Sequence, residues 1–223
     1  MKRISEPEVM DDALEAESYA SEAALAYLSR IDDTFVEHFL RIGPEDGLVL
    51  DLGSGPGVIP IKIALKCKGL EVLGVDLSEA MLQIASKNLQ AAGLGSRVRF
   101  ARADAKRLDF PDCTFDAVIS NSLLHHLQDP RVVLVEAARV LKPGGVVLIR
   151  DIRRPPAFLL GLWVRVFGRY YSGKMLEAYV RSLRAALSFG ELKSLLRSVS
   201  FAGCTPFWHG LTHIGVERRA FKA

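Results

Sequence analysis

The chain is organised around residues 48–57, Leu-Val-Leu-Asp-Leu-Gly-Ser-Gly-Pro-Gly. A short apolar run bounded by turn residues is typical of a buried parallel strand. Here the run ends at a carboxylate, Asp51, and glycines follow at positions 53, 55 and 57. Because glycine has no Cβ, a ligand or the next helix can approach this main chain closely. The alternative is an ordinary strand-to-helix turn, since a single glycine-rich turn is weak evidence of binding.

The composition indicates one globular domain of enzyme size. The chain has 223 residues, of which 49% are hydrophobic and 25% charged, enough to bury a substantial core. The formal net charge of +3 is too small to indicate nucleic-acid binding by itself. Three scattered cysteines without a CxxC pair argue against a disulfide framework and a structural zinc site. The sequence contains neither a secretory signal nor an apolar run of about 18 residues, so we expect a cytoplasmic protein.

The segment before the loop carries apolar and aromatic residues at helical spacing. Residues 8–40 predict two amphipathic helices that end near Gly43-Pro44. Tyr19 lies on one of these helices and is a candidate contact for a small ligand, with a core-facing aromatic ring as the alternative. His38 lies further along, where we expect a helix surface.

After the loop, short apolar runs alternate with helical patterns. The predicted strands span residues 48–52, 71–75, 98–101, 115–120 and 146–150. This alternation predicts a doubly wound, parallel α/β sheet, in which ligands bind beyond the carboxyl ends of the strands. Four polar residues end or follow strands at that edge, namely Asp51, Asp76, Asp104 and Asn121. Each alone could be a solvated loop residue or a helix cap, but together with the glycine loop they indicate a ligand site.

The positions of the carboxylates favour a nucleoside joined to an amino-acid-like cation. Asp76 follows Asp51 by 25 residues, the spacing at which a second-strand carboxylate accepts hydrogen bonds from ribose hydroxyls. A dinucleotide loop of the form GxGxxG would place its third glycine at the position of Val58. An α-amino group would donate a charge-assisted hydrogen bond to Asp51, whereas a pyrophosphate would gain little beside this carboxylate. A nicotinamide-dependent oxidoreductase is therefore disfavoured, although it stays open as an alternative.

Five motifs stand in register across the middle of the chain. They are VLDLGSGPG at 49–57, GVDLS at 74–78, ADA at 103–105, FDAV with NSLLHHL within 115–127, and LKPGG at 141–145. In order and spacing they resemble the motifs of class I S-adenosylmethionine-dependent methyltransferases, in particular the small-molecule methyltransferase group. The likeness covers about residues 45–152. It implies a Rossmann-like, mostly parallel seven-stranded sheet whose last strand is antiparallel, and methyl transfer by in-line displacement.

The resemblance implies that the cofactor is S-adenosylmethionine and the product S-adenosylhomocysteine. At the methionine end, Asp51 would lie near the amino group and Asn121 near the sulfonium. The loop backbone would lie against the methionine part at Gly53, Ser54, Gly55 and Gly57.

At the adenosine end, the same resemblance implies contacts from the second and third strands. Asp76 would hold the ribose hydroxyls, and Asp104 would accept a hydrogen bond from the adenine amino group. Ala105 would supply a backbone donor, and the adenine ring would lie against Leu77 and Met81.

Methyl transfer from a sulfonium needs alignment and desolvation more than proton chemistry. A hydroxyl acceptor would still benefit from a positioned general base. The candidate bases at the ligand edge are His125, His126 and Asp151. The alternative is that the two histidines cap or pack the next helix and close over the cofactor. Because no third ligand of suitable spacing is nearby, the histidine pair does not predict a metal site.

We expect one methyltransferase domain with four parts. These are an N-terminal helical cap (1–44), a cofactor-binding core (45–151), a helical lid inserted after the fifth strand (152–190), and a C-terminal helix and hairpin (191–223). Residues 150–184 hold eight Lys or Arg against two acids. The lid is therefore either a covering helix pair with a solvated face or a contact for an acidic or amphipathic acceptor. It could also touch an anionic membrane through Phe158–Leu160 and Trp163, whereas nucleic acid is disfavoured.

The sequence alone leaves two classes of function. The first is an enzyme that methylates a small molecule. The second is an S-adenosylmethionine-binding module without transfer activity that acts on a partner through its basic lid. Turnover to S-adenosylhomocysteine distinguishes the two classes, and no motif names the acceptor.

Overall fold

A seven-stranded sheet forms the centre of the molecule. The computed structural model describes residues 3–5, 22–199 and 201–220. The strands are β1 (Asp46–Leu52), β2 (Gly69–Asp76), β3 (Val98–Arg102), β4 (Phe115–Asn121), β5 (Leu141–Ile152), β6 (Thr205–His209) and β7 (His213–Arg218). Their order is β3-β2-β1-β4-β5-β7-β6. β1 to β5 pair in parallel, and β7 is antiparallel to both β5 and β6. The predicted doubly wound sheet with an antiparallel last strand is confirmed.

Helices connect the strands and cover both faces of the sheet. They are α1 (Glu22–Ile42), α2 (Val58–Lys66), α3 (Glu79–Ala92), α4 (Pro130–Val140), α5 (Leu160–Phe167), α6 (Gly173–Ala185) and α7 (Phe189–Ser198). Local sequence explains several starts: Ser78 caps α3, Asp129 caps α4 ahead of a proline, and Ser188 forms a capping box with Glu191 at α7. In the described ranges, no helix is both long and apolar enough to cross a membrane.

Side chains at the end of β5 alternate between two apolar layers. Within Val146–Ile149, the even-numbered pair packs with Phe35 and Phe39 of α1, and the odd-numbered pair packs in the layer that contains α4 and α7. A strand alternates with a period of two. The same alternation places Arg150 on the face covered by α1, here called the α1 face. Asp151 lies on the opposite face, here called the α4 face.

Three predictions concern aromatic residues outside the predicted strands, namely Tyr19, His38 and Trp163. The first predicted N-terminal helix, with Tyr19, lies outside the described residues. His38 was expected on a helix surface, which is wrong, because it is 6% exposed and its Nε2 lies 2.7 Å from a Glu217 carboxylate oxygen. Trp163 was named in one of the alternatives for the lid, as a side chain that could touch a membrane; this part of that alternative is wrong, because the residue is 8% exposed and its ring packs on Phe167 with 4.8 Å between centroids.

Candidate active site

The glycine loop turns sharply between β1 and α2. Its three glycines have positive φ angles, which are +70° at Gly53, +51° at Gly55 and +76° at Gly57, in the left-handed region that favours glycine. A Cβ at Gly57 would lie 2.4 Å from Phe100, so this glycine lets the loop pack on β3. A Cβ at Gly55 would have no neighbour within 4 Å among the described residues, and the loop faces open space there.

Asp76 ties the loop to the end of β2. Its Oδ2 accepts a hydrogen bond from the Gly55 amide at 2.8 Å, and its Oδ1 accepts from the Ser78 amide at 2.9 Å. The Gly53 and Ser54 amides donate to the carbonyl of Val75 at 2.9 and 3.0 Å. Because each carboxylate oxygen has two acceptor positions, Asp76 can hold the loop and still accept from hydroxyl groups of a ligand.

The remaining residues predicted at the adenosine end follow β2 and β3. Leu77, Met81, Asp104 and Ala105 are all partly buried. The Asp104 carboxylate accepts from the Lys106 amide at 2.9 Å, and the Ala103 amide donates to the Asp76 carbonyl at 3.1 Å. The two strand ends are therefore joined directly, as a shared adenosine site requires.

Asp51 and Ser54 are buried polar groups without protein partners in the described part of the chain. Asp51 is 2% exposed, and no described residue donates a hydrogen bond to its carboxylate. Burial, followed by the charges of Asp76 and Asp32, holds the pKa of Asp51 well above its usual value. The Ser54 hydroxyl is also buried and unpaired. A ligand with an ammonium group and further donors would satisfy both groups and would lower the pKa of Asp51.

On the α1 face, the predicted site residue Asn121 contacts two charged residues that the sequence did not predict as site residues, Arg150 and Asp32. Asn121 accepts from Arg150 Nε at 2.9 Å and donates to an Asp32 carboxylate oxygen at 3.4 Å. Arg150 is 0% exposed and also donates to Thr34 at 2.8 Å and to the Ile31 carbonyl at 2.9 Å. α1 is therefore fixed against the ligand edge by hydrogen bonds as well as by apolar packing.

Burial shifts the titration of this cluster on the α1 face. It raises the pKa of Asp32 to about 6, against the opposing charges of Lys62 and Arg150. It lowers the pKa of Arg150 to about 10, against the charges of Asp32 and Asp151. No local signal marked Asp32 or Arg150, because an acid in an amphipathic helix and an arginine beside a basic segment both predict solvated charges.

On the α4 face, His125 and Asp151 form a buried pair. His125 Nδ1 lies 2.6 Å from Asp151 Oδ1, and the His125 amide donates to Asp151 Oδ2 at 2.9 Å. The two residues are 5% and 4% exposed. Burial alone would raise the pKa of Asp151, but the charge and hydrogen bonds of His125 outweigh it and hold that pKa below its usual value. The ring of His126 lies 4.1 Å from that of His125.

The segment between β4 and α4 links the two groups of residues. Asn121 ends β4 on the α1 face, and the 3-10 turn Leu124–His126 follows on the α4 face. Leu123 between them packs on the glycine loop, where a Cβ at Gly53 would lie 3.0 Å from its side chain. Arg3 also binds this segment, with hydrogen bonds to carbonyls that include Leu124 at 3.3 Å. The glycine loop and the His-Asp pair are thus joined through one short segment of the chain.

Known proteins resemble this chain in sequence and in fold. A family model described as a methyltransferase domain matches residues 50–149. Demethylmenaquinone methyltransferase of Thermus thermophilus is 39% identical over 119 residues, which cover 53% of each chain. The ubiquinone/menaquinone biosynthesis C-methyltransferase UbiE of Azotobacter vinelandii is 30% identical over 178 residues, which cover 74% of this chain and 68% of that protein. The chain belongs to the class I S-adenosylmethionine-dependent methyltransferases.

A solved structure of this family holds the expected product. Phosphoethanolamine N-methyltransferase 2 of Haemonchus contortus, in complex with phosphomonomethylethanolamine and S-adenosylhomocysteine, superimposes with a TM-score of 0.62 at 25% identity. The match covers 78% of this methyltransferase and 38% of that chain. The alignment with the Thermus protein likewise spans about half of the relative's length. S-adenosylmethionine is the cofactor that the buried, unpaired groups of this site fit.

Proposed function

We propose that this methyltransferase transfers the methyl group of S-adenosylmethionine to a small-molecule acceptor and releases S-adenosylhomocysteine. One observation carries the proposal: Asp76 binds the glycine loop at the sheet edge beside Asp51, a buried carboxylate that no described residue neutralises. This combination suits a nucleoside that carries an ammonium group. Family membership supports the same reaction class.

The residues of the edge would bind and orient the cofactor, which supplies the activated methyl group. Asp51 would pair with the ammonium group, Asp76 would accept from the ribose hydroxyls, and Asp104 would accept from the adenine amino group. The Asn121 amide would lie near the sulfonium, held in place by Arg150. Because attack on a sulfonium is in line, the protein contributes alignment and exclusion of water.

His125 would act as the general base where the acceptor must lose a proton. Asp151 engages Nδ1, which holds the ring in one orientation and stabilises its protonated form. The imidazole of His125 would take the proton of the acceptor. Asp151 is thus a positioning residue, and His126 remains the second candidate base.

Cofactor consumption tests the reaction class directly. With the purified protein, S-adenosylmethionine and a metabolite extract, we expect S-adenosylhomocysteine to accumulate, because the site aligns a methyl donor for transfer. Mass spectrometry should find one species that gains a methyl group. Calorimetric binding of S-adenosylmethionine without turnover in any extract would instead favour the module without transfer activity. Absence of binding to either form of the cofactor would refute both functions.

We also propose that the outer face of the lid contacts an anionic membrane. Exposed apolar side chains recur every four residues along the lid, at Phe158 (85% exposed), Leu162 (59%), Val166 (42%) and Tyr170 (41%). Leu162 and Val166 form a stripe on α5, where residues four apart share one face, and Phe158 and Tyr170 lie in the segments just before and after this helix. Residues 152–190 contain seven Lys or Arg and a single acid, Glu177. An apolar stripe beside basic side chains favours the interface of an anionic bilayer, which would suit an amphipathic acceptor.

Vesicle sedimentation tests this contact. The protein should bind vesicles of equal parts phosphatidylcholine and phosphatidylglycerol more tightly than phosphatidylcholine alone, and Leu162→Ser should weaken binding about three- to tenfold through lost apolar burial. Leu65→Ser on α2 is the matched control, because Leu65 is also 59% exposed. Equal binding to both vesicle types, or equal loss in both variants, would contradict the proposal.

We also propose a cytoplasmic location for the protein and a division of the chain into four parts. The three cysteines are free in the structure, which is compatible with the reducing cytoplasm that we propose. The helices α5 and α6 and their connections occupy the proposed lid segment, 152–190. The other three proposed parts are the helical cap at 1–44, the cofactor-binding core at 45–151 and the C-terminal helix and hairpin at 191–223.

A further inference from the structure

Arg153 lies against two indole rings at the end of β5. Its guanidinium carbon is 4.6 Å from the ring centroid of Trp163 on α5 and 4.9 Å from that of Trp208 on β6. The Trp208 ring stacks in turn on Phe189, with 4.4 Å between centroids. Cation–π contacts of this kind hold a charged group beside apolar surface. The lid, the end of β5 and the C-terminal hairpin therefore meet at one arginine.

This arginine has no carboxylate partner among the described residues. Arg154, its neighbour, pairs with Glu191 at 2.5 Å and donates to the Ala186 carbonyl at 2.9 Å. For Arg153, by contrast, no hydrogen bond from the guanidinium is found in the described part of the chain, and its Nε is buried and unpaired. Burial lowers the pKa of Arg153, and no described residue contributes an opposing charge. A partly buried cation without a counter-ion costs free energy unless an anion joins it.

The position of Arg153 places it on the same side of the sheet as the His-Asp pair. Asp151 pairs with Ile214 across the strands, and Ile214 pairs with Trp208, so these three side chains form one row on the α4 face. Arg153 follows Asp151 by two residues and contacts the same Trp208 ring. Two residues of extended strand span about 7 Å, a distance that a small acceptor can bridge. The main chain of Arg153 is fixed by a 2.8 Å hydrogen bond from its amide to the Thr212 carbonyl.

We propose that Arg153 binds an anionic oxygen group, a carboxylate or a phosphate, of the methyl acceptor, with Trp163 and Trp208 as the apolar walls beside it. This assignment rests on the proposed methyl transfer and names the chemistry of the acceptor. A guanidinium edge donates two parallel hydrogen bonds to such a group. The acceptor would then be held by its anion at Arg153 and would present its nucleophilic atom toward His125.

The two tryptophans make the site directly observable, since the protein contains only Trp163 and Trp208. Sodium benzoate and inorganic phosphate would be titrated at constant ionic strength, with chloride as the reference and tryptophan emission as the readout. We expect a saturable change with at least one of the two anions. Arg153→Met should weaken that binding roughly ten- to hundredfold, and Arg153→Lys should weaken it less. Arg197→Met is the matched control, because Arg197 is exposed on α7.

The outcomes separate this proposal from the proposed function. A response no larger than that of chloride, or equal affinity in wild type and Arg153→Met, would overturn the anion site whether or not the protein turns over its cofactor. Circular dichroism of each variant shows whether it folds. If Arg153→Met does not fold, Arg153→Lys is used in its place, because it keeps the charge and removes only the paired donors of the guanidinium. With the acceptor found by the consumption screen, Arg153→Met should raise KM and leave kcat within about twofold. An unchanged KM would overturn the assignment to the acceptor.

Discussion

Asp76→Ala is expected to abolish measurable binding of S-adenosylmethionine. The carboxylate would accept charge-assisted hydrogen bonds from the ribose hydroxyls while it holds the Gly55 and Ser78 amides. Hydrogen bonds to a charged group contribute about 1.5–3 kcal/mol each. The loss of two, together with a loosened loop, should weaken binding more than about a hundredfold. Isothermal titration calorimetry with S-adenosylmethionine and S-adenosylhomocysteine measures the effect.

Two further variants separate the loss of contacts between Asp76 and the ribose from a collapse of the glycine loop. Asp76→Asn keeps one carbonyl oxygen, so it should retain one of the two amide contacts while losing the charge. Asp109→Ala, at an exposed acid in the loop after β3, is the control and should bind as the wild type does. If Asp76→Ala binds the cofactor within about threefold of the wild type, the ribose does not lie at this carboxylate.

The sequence was sufficient to predict the features that depend on residues close to one another in the chain. Short apolar runs that alternate with helical patterns predicted the strand ends, and the structure brings Asp76 and the glycine loop together at one edge as expected. The glycine positions also follow from local geometry, because Gly53, Gly55 and Gly57 all take positive φ angles. Parallel strands present their carboxyl ends at the same edge, so such residues can be placed without knowledge of the packing.

The features that the sequence did not predict depend on contacts between distant segments. Asp32 reaches Asn121 across 89 residues of sequence, and Arg150 reaches Thr34 across 116. His38 is buried because Glu217, 179 residues away, provides its partner. Amphipathic periodicity shows that a helix has an apolar face, but it does not identify which charged residue finds a counter-ion. For the same reason the sequence left Trp163 open as a membrane contact, whereas in the structure its ring contacts Arg153.

His125→Asn is expected to lower kcat roughly 10²- to 10⁴-fold for an acceptor that must lose a proton, with cofactor affinity unchanged. The asparagine amide can still donate to Asp151 in place of Nδ1, but it lacks the nitrogen that would take the proton. Single-turnover formation of S-adenosylhomocysteine measures the chemical step, and calorimetry measures the affinity. His126→Asn is the comparison, and an equal or larger loss there would assign the base to His126.

The pH dependence distinguishes catalysis at His125 from a structural role of the pair. His125 holds the pKa of Asp151 below its usual value despite burial, so Asp151 is ionised through the neutral range. Its contribution to stability is present above the pKa of an unfolded aspartate and is lost only as the pH falls through the lower folded value. An acid limb of the rate profile near neutral pH therefore does not report Asp151. It could report Asp32, whose pKa is about 6, so Asp32→Asn must be measured in parallel.

Asp151→Asn tests the His-Asp pair at the carboxylate. Without the carboxylate, the protonated imidazole loses its partner, so the acid limb should move to lower pH while the maximal rate falls, because His125 is no longer held in one orientation. A structural role alone would lower thermal stability and the rate at all pH values together, with no movement of the limb. If the limb stays in place in Asp151→Asn and moves in Asp32→Asn, the titrating group lies on the α1 face, and the His-Asp pair is a packing element of the fold.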